Sequence, residues 1–310
     1  MAVTTAMIKE LRERTAAGML DCKKALEEAN CDMEQAVDVL RTKGLSAAAK
    51  KSGRISSEGL IASTTDGNGK MGALFEINCE TDFVAKNDDF KKLCQNFVDH
   101  VAKFEPADMD ALNEQKLMGE GDKIAEMVLN TTATIGEKIS PRRFVRWEAE
   151  GNNLLDLYIH GPGKMGIMVE LTCGKEASSK AEAVTGFAHK LAMQVAATNP
   201  TAVKREDVAE EFVAREREVY MEQVRESGKP EKIWDRIIEG KMEKFFKEST
   251  LIEQQWVHDT DKTVGQVLIE VGKEVDDEIG VKRILRWGLG EGLVKRVHDI
   301  AAEVAEQLNK

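Results

Sequence analysis

The stretch Gly67-Asn-Gly-Lys-Met-Gly-Ala-Leu-Phe-Glu-Ile-Asn-Cys79 returns 94 residues later as Gly161-Pro-Gly-Lys-Met-Gly-Ile-Met-Val-Glu-Leu-Thr-Cys173, and seven of the thirteen positions are identical. In each copy a glycine-containing turn joins two short segments rich in strand-forming residues, a pattern typical of a β-hairpin. Each hairpin is followed by a segment whose apolar residues have helical spacing. The chain therefore contains a duplicated building block of hairpin and helix.

Each copy also closes with a third strand-like segment. Arg143-Phe-Val-Arg-Trp147 ends the first copy and Arg283-Ile-Leu-Arg-Trp287 ends the second, and both favour a β-strand. The predicted fold class is α+β, with a core of two related subdomains, each a small antiparallel sheet covered by helices on one face. The strands and helices predicted before the third strands are 59–64, 71–78 and 88–102 in the first copy and 154–159, 165–172 and 178–197 in the second.

Three short amphipathic helices are predicted before the first copy, enough for a small helical domain. Met19 and Leu20 lie in the turn between the first two helices, where they either cap the small core or contact a partner. The sequence leaves both readings open. The predicted helices run from about Thr5 to Arg14, from Asp21 as an N-cap, and from about Asp32 to a final glycine at Gly44.

An insertion without a counterpart in the first copy carries two helical patterns, 206–224 and 231–247, joined by Ser227-Gly-Lys-Pro230. Strong charge on the other faces predicts a projecting antiparallel coiled-coil hairpin. It either packs only on its own core or serves self-association, as a homodimer or 2:2 complex, or partner binding. The apolar positions assigned to its core are Val208, Phe212, Val219, Ile233, Ile237, Met242 and Phe245.

The predicted domain organisation follows from these patterns. It comprises a three-helix domain with linker at 1–54, a first core subdomain at 55–150, a second at 151–292 that includes the hairpin at 206–249, and a C-terminal helix at 293–310.

The composition, with 42% hydrophobic and 32% charged residues among 310, is that of a soluble globular protein. A net charge of −11 argues against direct nucleic-acid binding, although Lys50, Lys51 and Arg54 form a local basic patch. No window approaches 18 consecutive apolar residues, so we expect no membrane contact and a cytoplasmic location.

Cysteine and histidine patterns give no sign of a metal or a covalent catalyst. The five cysteines form no C-x-x-C pair and predict reduced, buried thiols, and the five histidines lack metal-ligand spacing. The run from Gly288 to Gly292 carries a glutamate where a phosphate loop needs positive charge, and is better explained as a tight turn. We expect no cofactor.

The two copies differ just after their matched cysteines, where only the first continues as Thr81-Asp-Phe-Val84. Asp82 and Phe83 fall between a strand and a helix, where a loop can present a carboxylate and an aromatic ring to a partner. The alternative is that Asp82 caps the following helix while Phe83 enters the core. His160, at the tip of the second hairpin, is expected to be exposed.

At this point the chain resembles a known family, bacterial translation elongation factor Ts. The resemblance implies a ubiquitin-associated-like (UBA-like) N-terminal domain, two related core subdomains, a coiled-coil hairpin and a C-terminal module. The matching segments are Ile8-Lys-Glu-Leu-Arg-Glu-Arg-Thr15, Gly18-Met-Leu-Asp-Cys-Lys-Lys-Ala-Leu26, Asn78-Cys-Glu-Thr-Asp-Phe-Val-Ala-Lys86, Ser227-Gly-Lys-Pro230 and Thr263-Val-Gly-Gln266.

The resemblance implies a guanine-nucleotide exchange factor for the GTPase elongation factor Tu, without covalent chemistry. By that resemblance, Thr81 to Val84 approach the partner's nucleotide site and dislodge its Mg²⁺. Phe83 is a wedge between partner helices, and Asp82 rearranges polar contacts near the metal.

The resemblance also implies contacts outside this segment. His160 would press on the partner from the second subdomain, while Arg12, Met19 and Leu20 would hold its GTPase domain. Leu20 replaces the methionine associated with that position in the family, a volume-conserving change. Two other readings remain: a binding module in which residues 1–54 alone suffice, and an enzyme with a pocket that joins a cysteine to a histidine.

Overall fold

The duplicated hairpins form two three-stranded sheets in an α+β fold, which confirms the predicted fold class. The computed structural model describes residues 2–15, 17–51 and 53–294. Contacts divide the chain into two units: the first unit holds the described residues of 2–62, 74–145 and 289–294, and the second unit holds 63–73 and 146–288. The predicted C-terminal helix at 293–310 falls almost wholly outside the described residues.

The helices are α1 (Thr5–Thr15), α2 (Met19–Glu28), α3 (Met33–Lys51), α4 (Asp82–Lys86), α5 (Asp88–Phe104), α6 (Met109–Glu114), α7 (Ile124–Ile135), α8 (Glu176–Ser179), α9 (Glu182–Thr198), α10 (Glu210–Glu226), α11 (Trp234–Ser249) and α12 (Val264–Glu274). The strands are β1 (Glu58–Thr65), β2 (Met71–Cys79), β3 (Ser140–Glu148), β4 (Leu154–His160), β5 (Met165–Cys173), β6 (Gln255–Trp256), β7 (Asp259–Thr263) and β8 (Ile279–Gly288). Short 3₁₀ turns occupy Leu117–Gly119, Arg205–Asp207, Glu231–Ile233 and Leu251–Glu253.

The two sheets have the same strand order, with the second strand of each hairpin in the centre. The orders are β1-β2-β3 and β4-β5-β8. In the second sheet both pairings are antiparallel, with Val169 of β5 opposite Asp156 on one side and Ile284 on the other. The central strands β2 and β5 are buried along almost their whole length, because helices and neighbouring strands cover the apolar run that the sequence repeats.

A long helix after each hairpin supplies the other half of each core. In the first unit Phe97 of α5 packs its ring 5.1 Å from that of Phe75 on β2. In the second unit Phe187 and Leu191 of α9 join the cluster around Val169. Burying each of these side chains contributes about 1.5–3 kcal/mol.

The N-terminal helices differ from the prediction at two boundaries. Gly18, not Asp21, is the N-cap of α2, and Asp21 lies in the first turn. Asp32 does cap α3, since its Oδ1 accepts a hydrogen bond from the Gln35 amide at 2.9 Å. However, α3 does not end at Gly44 but continues to Lys51. The missing side chain of Gly44 lets α3 approach α7, since a Cβ at Gly44 would lie 2.9 Å from the Ala133 Cβ.

This close approach gives a stability prediction. Gly240 lies in α11 with nothing near its missing Cβ, so Gly240→Ala should stabilise the fold by about 1 kcal/mol through helix propensity. Gly44→Ala gains the same propensity but overpacks against Ala133, and we expect a net loss of about 1 kcal/mol. Chemical denaturation of both variants measures the difference. Equal stabilisation by the two changes would contradict the packing argument.

Helices α10 and α11 form the inserted hairpin. The buried stripe of α11 was predicted correctly, since Ile237, Met242 and Phe245 lie in the hairpin core, but the buried stripe of α10 was predicted one residue out of phase. Phe212, Val219 and Ile233 are exposed, whereas Met242 is buried as expected. The seven-residue spacing is real but belongs to the neighbouring stripe, which runs through Val213 and Tyr220. The helix begins at Glu210 rather than 206. Periodicity alone indicates that a helix has an apolar face and does not specify which of two adjacent stripes is buried.

The stretch from Leu251 to Lys262, which has little sequence pattern, is ordered as a 3₁₀ turn and the β6-β7 hairpin. It is anchored by Trp256, whose ring stacks on Phe187 of α9 at 5.6 Å. Over the described ranges, no helix is long and apolar enough to cross a membrane.

Candidate functional site

The loop between β2 and α5 is held by Thr81. Its extended backbone (φ −127°, ψ 156°) makes it the N-cap of α4, and its Oγ1 accepts a hydrogen bond from the Val84 amide at 3.4 Å. Its own amide and hydroxyl donate to the Glu137 carboxylate at 3.0 and 2.7 Å. The hydroxyl of Thr81 is therefore a donor and an acceptor at once, and its position is fixed from both sides.

Phe83 points away from the core. Its side chain is 81% exposed, whereas Ala85, two residues later, is buried. Asp82 is half-exposed and its Oδ2 lies 2.6 Å from Nζ of Lys86. The cap-and-core alternative is therefore wrong, because Thr81 caps the helix and Phe83 contacts solvent. Leaving this ring exposed forgoes about 1.5–3 kcal/mol of burial energy.

Helix α4 is only five residues long and is closed at both ends. At its far end Asn87 is both the C-cap of α4 and the N-cap of α5, accepting hydrogen bonds from the amides of Asp89 and Phe90. At its near end the Cys79 thiol lies 3.1 Å from the Thr81 carbonyl oxygen. We call the segment Thr81–Lys86 the tip; capping at both ends defines the direction in which it presents Phe83.

A second exposed apolar surface lies on the N-terminal helices. Met19 and Leu20 begin α2 and are 63% and 73% exposed, so they do not cover the small core beneath them. That core is built from Leu11 of α1 and Leu26 of α2, both fully buried. Arg12 follows Leu11 on α1 and is also exposed.

His160 ends β4 in the second unit and is exposed, as its place beside a glycine predicts. Its Nδ1 lies 2.9 Å from the Tyr158 hydroxyl. Tyr158 also packs edge-on against His189, with ring centroids 5.7 Å apart. Tyr158 thus orients His160, a neighbour that the sequence did not single out.

The groups needed for covalent or metal chemistry do not assemble in the described part of the chain. None of the five cysteines forms a disulfide bond, and burial raises the pKa of Cys94 and of Cys173 above the ordinary thiol value. Two cavities, of about 750 and 240 Å³, are lined by neither cysteine nor histidine. No group of three or more His, Cys, Asp or Glu side chains is placed to hold a metal ion among the described residues.

Sequence reasoning missed two sets of carboxylates that make long-range hydrogen bonds. Glu137 binds the tip but lies 56 residues away from Thr81, so no local pattern could reveal the contact. Glu76 and Glu170 are fully buried at equivalent positions of the two copies. Their identity in the repeated stretch was a signal, because a glutamate retained twice within an apolar strand needs a partner in each copy.

Exposed apolar side chains on the tip and on the N-terminal helices are typical of a protein class that acts through contact with another macromolecule. Comparison with known proteins then shows the family. A sequence model described as "Elongation factor TS" matches residues 80–291. The chain belongs to the elongation factor Ts family, and is thus a translation elongation factor of protein biosynthesis.

Curated relatives match over nearly the full length of both chains. The elongation factor Ts of Trichlorobacter lovleyi is 47% identical over 306 residues, covering 98% of each chain. That of Clostridium tetani is 46% identical over 307 residues, covering 99% of each. That of Syntrophotalea carbinolica is 45% identical over 305 residues, covering 98% of this chain and 99% of the relative.

Proposed function

We propose that this protein is the guanine-nucleotide exchange factor of the GTPase elongation factor Tu. It binds the GDP form, dislodges Mg²⁺ and promotes GDP release, so that GTP can bind. The observation that carries this proposal is Phe83, 81% exposed on a tip that is capped at both ends. A rigid aromatic ring can enter a partner without a large cost of ordering.

Displacing the metal is a sufficient physical route to release. Mg²⁺ in GTPases bridges the phosphates to the protein and neutralises their charge. When a wedge moves the metal ligands of the partner apart, GDP loses its strongest electrostatic contact. In this scheme the exchange factor makes and breaks no covalent bond and needs no cofactor of its own.

Several surfaces must share the work. Converting a partner from mostly closed to mostly open requires about 5 kcal/mol of differential binding, and burying one phenylalanine supplies about 1.5–3 kcal/mol. We assign the remainder to further contacts made by side chains that are exposed or half-buried in the free protein. The proposed contacts are Thr81, Asp82 and Val84 on the tip, His160 in the second unit, and Arg12, Met19 and Leu20 on the N-terminal helices.

The test is the release of a fluorescent GDP from purified elongation factor Tu, with and without this protein. We expect acceleration that saturates with the concentration of the factor. Excess Mg²⁺ should reduce the acceleration, because it opposes the proposed displacement. Reciprocity requires that GDP weaken binding of the factor by the same ratio as the factor weakens binding of GDP. Release at the same rate with and without the factor would exclude the proposal.

A further inference from the structure

We propose that Glu137 is a positioning residue for exchange: it holds the tip in the orientation that exposes Phe83, as half of a reciprocal clamp with Glu80. This inference rests on the proposed function, in which Phe83 enters the partner. Glu137 has no other assigned role.

The first half of the clamp is the pair of hydrogen bonds to Thr81. The Glu137 carboxylate accepts the Thr81 amide at 3.0 Å on Oε2 and the Thr81 hydroxyl at 2.7 Å on Oε1. Hydrogen bonds to an ionised acceptor are about twice as strong as neutral ones. Because both bonds end on one planar group, they define the orientation of Thr81 as well as its distance from Glu137.

The second half runs in the opposite direction. Glu80, directly before Thr81, accepts a hydrogen bond from the amide of Lys138, directly after Glu137, at 2.7 Å. The Glu80 side chain is only 10% exposed and also pairs with Arg54 at 3.3 Å. Each of two consecutive residue pairs, 80–81 and 137–138, therefore supplies a carboxylate to the backbone of the other.

The tip needs such support because its own structure is short. A helix of five residues makes too few internal hydrogen bonds to be stable alone. Its cap bond, 3.4 Å from the Val84 amide to Thr81 Oγ1, is long. Since the Thr81 hydroxyl donates to Glu137, the clamp also holds the oxygen that caps the helix.

The other side of the clamp is well anchored. Gly136 is the C-cap of α7, and its φ of 86° turns the chain into Glu137. The hydroxyl of Thr132 accepts the amide of Ile139 at 3.2 Å and closes this turn. Arg41 of α3 pairs with Glu126 of α7 at 3.2 Å. The helix that precedes Glu137 thus also contacts the N-terminal helices.

The test measures GDP release in five variants, one of which is Phe83→Ala alone. We expect Glu137→Ala to slow stimulated release by about 5- to 20-fold, as when a freed tip must be ordered on binding. Glu137→Gln retains one acceptor oxygen, so its rate of stimulated release should lie between the rates of Glu137→Ala and the unchanged chain. Glu120→Ala removes an exposed carboxylate of the same unit and should have no effect. Combined with Phe83→Ala, the Glu137 change should add a smaller loss than it causes alone, since it acts largely through the side chain that it positions.

Two outcomes would overturn the inference while leaving the proposed function in place. One is stimulated release by Glu137→Ala at the unchanged rate. The other is a loss in the double variant equal to the product of the single losses, which would show an independent structural effect. If the unchanged chain fails to stimulate release, the proposed function fails instead. A fluorine label on the Phe83 ring then tests the positioning in the free protein: its resonance should shift in Glu137→Ala and not in Glu120→Ala, and an unchanged resonance would overturn the inference.

Discussion

Phe83→Ala should slow factor-stimulated release of GDP from elongation factor Tu by about 10- to 100-fold, the factor that corresponds to the burial energy of one phenylalanine side chain. The ring is 81% exposed in the free protein, so its removal should change the free energy of unfolding by less than about 0.5 kcal/mol. The expected result is a variant that folds normally and fails at exchange. Stopped-flow fluorescence measures the release rate, and urea denaturation measures the stability.

A matched control distinguishes the effect of removing Phe83 from the effect of removing any exposed phenylalanine. Phe212 lies on α10 and is 56% exposed, so Phe212→Ala removes the same side chain from a surface outside the tip. The rate of GDP release with this variant should stay within twofold of the rate with the unchanged chain, a difference of about 0.4 kcal/mol in activation free energy. Equal losses in the two variants, or no loss with Phe83→Ala, would contradict the assignment of the wedge.

The α+β class was predictable because the duplicated hairpin is a local pattern. To complete each sheet, the prediction needed only one more strand per copy, and the predicted segments 143–147 and 283–287 do lie in β3 and β8. The end of α3 was not predictable in this way. Gly44 has the chemistry of a helix terminator, yet its role is to let Ala133 approach, and that contact joins residues 89 positions apart.

In the candidate site, too, local sequence predicted one part and long-range contacts determine the other. The residue types at 81–84 indicated a function, but the orientation of Phe83 depends on Glu137 and Glu80, whose hydrogen bonds span 56 and 58 residues of sequence. The alternative that placed Phe83 in the core obeyed every local rule. Only the long-range carboxylate contacts, which no spacing reveals, decide between the two readings.

The buried carboxylates lead to the second large effect, which concerns stability. Glu76 is fully buried in the centre of the first sheet. Its two oxygens accept hydrogen bonds from Arg142 at 2.8 Å, from Arg143 at 2.7 Å and from the amide of Gly290 at 2.8 Å. The contact with Gly290 is possible only for glycine, because a Cβ there would lie 2.5 Å from the Ser57 carbonyl oxygen.

Glu170 repeats this arrangement in the second sheet. It accepts hydrogen bonds from Arg283 at 2.5 Å, from Lys282 at 3.2 Å and from Asn153 at 2.8 Å. Arg143 and Arg283 begin the matched segments of the third strands. In both copies, therefore, a carboxylate on the central strand binds the strand that closes the sheet.

These contacts determine how stability should depend on pH. Burial opposes ionisation of Glu76, but the Gly290 amide and the two arginines outweigh it and hold its pKa below the ordinary value of 4.5. The pKa of Glu170 is lowered in the same way, with burial opposed by Asn153, Arg283 and Lys282. A carboxylate with a lowered pKa stabilises the folded state above its unfolded pKa. This stabilisation is complete above about pH 5 and is lost as the pH falls through the folded pKa, below 4.5.

Glu76→Ala is expected to lower the free energy of unfolding by about 3–5 kcal/mol at pH 7, because it leaves half-buried arginines without their carboxylate. Glu76→Gln keeps the shape of the side chain and should lower the free energy of unfolding by less. Urea denaturation at a series of pH values measures both variants, with Glu120→Ala as the exposed control. The deficit of Glu76→Ala should shrink as the pH falls below 4.5, since protonation removes the same charge from the unchanged chain. A deficit that stays constant down to pH 3 would show that Glu76 acts through packing and not through its charge.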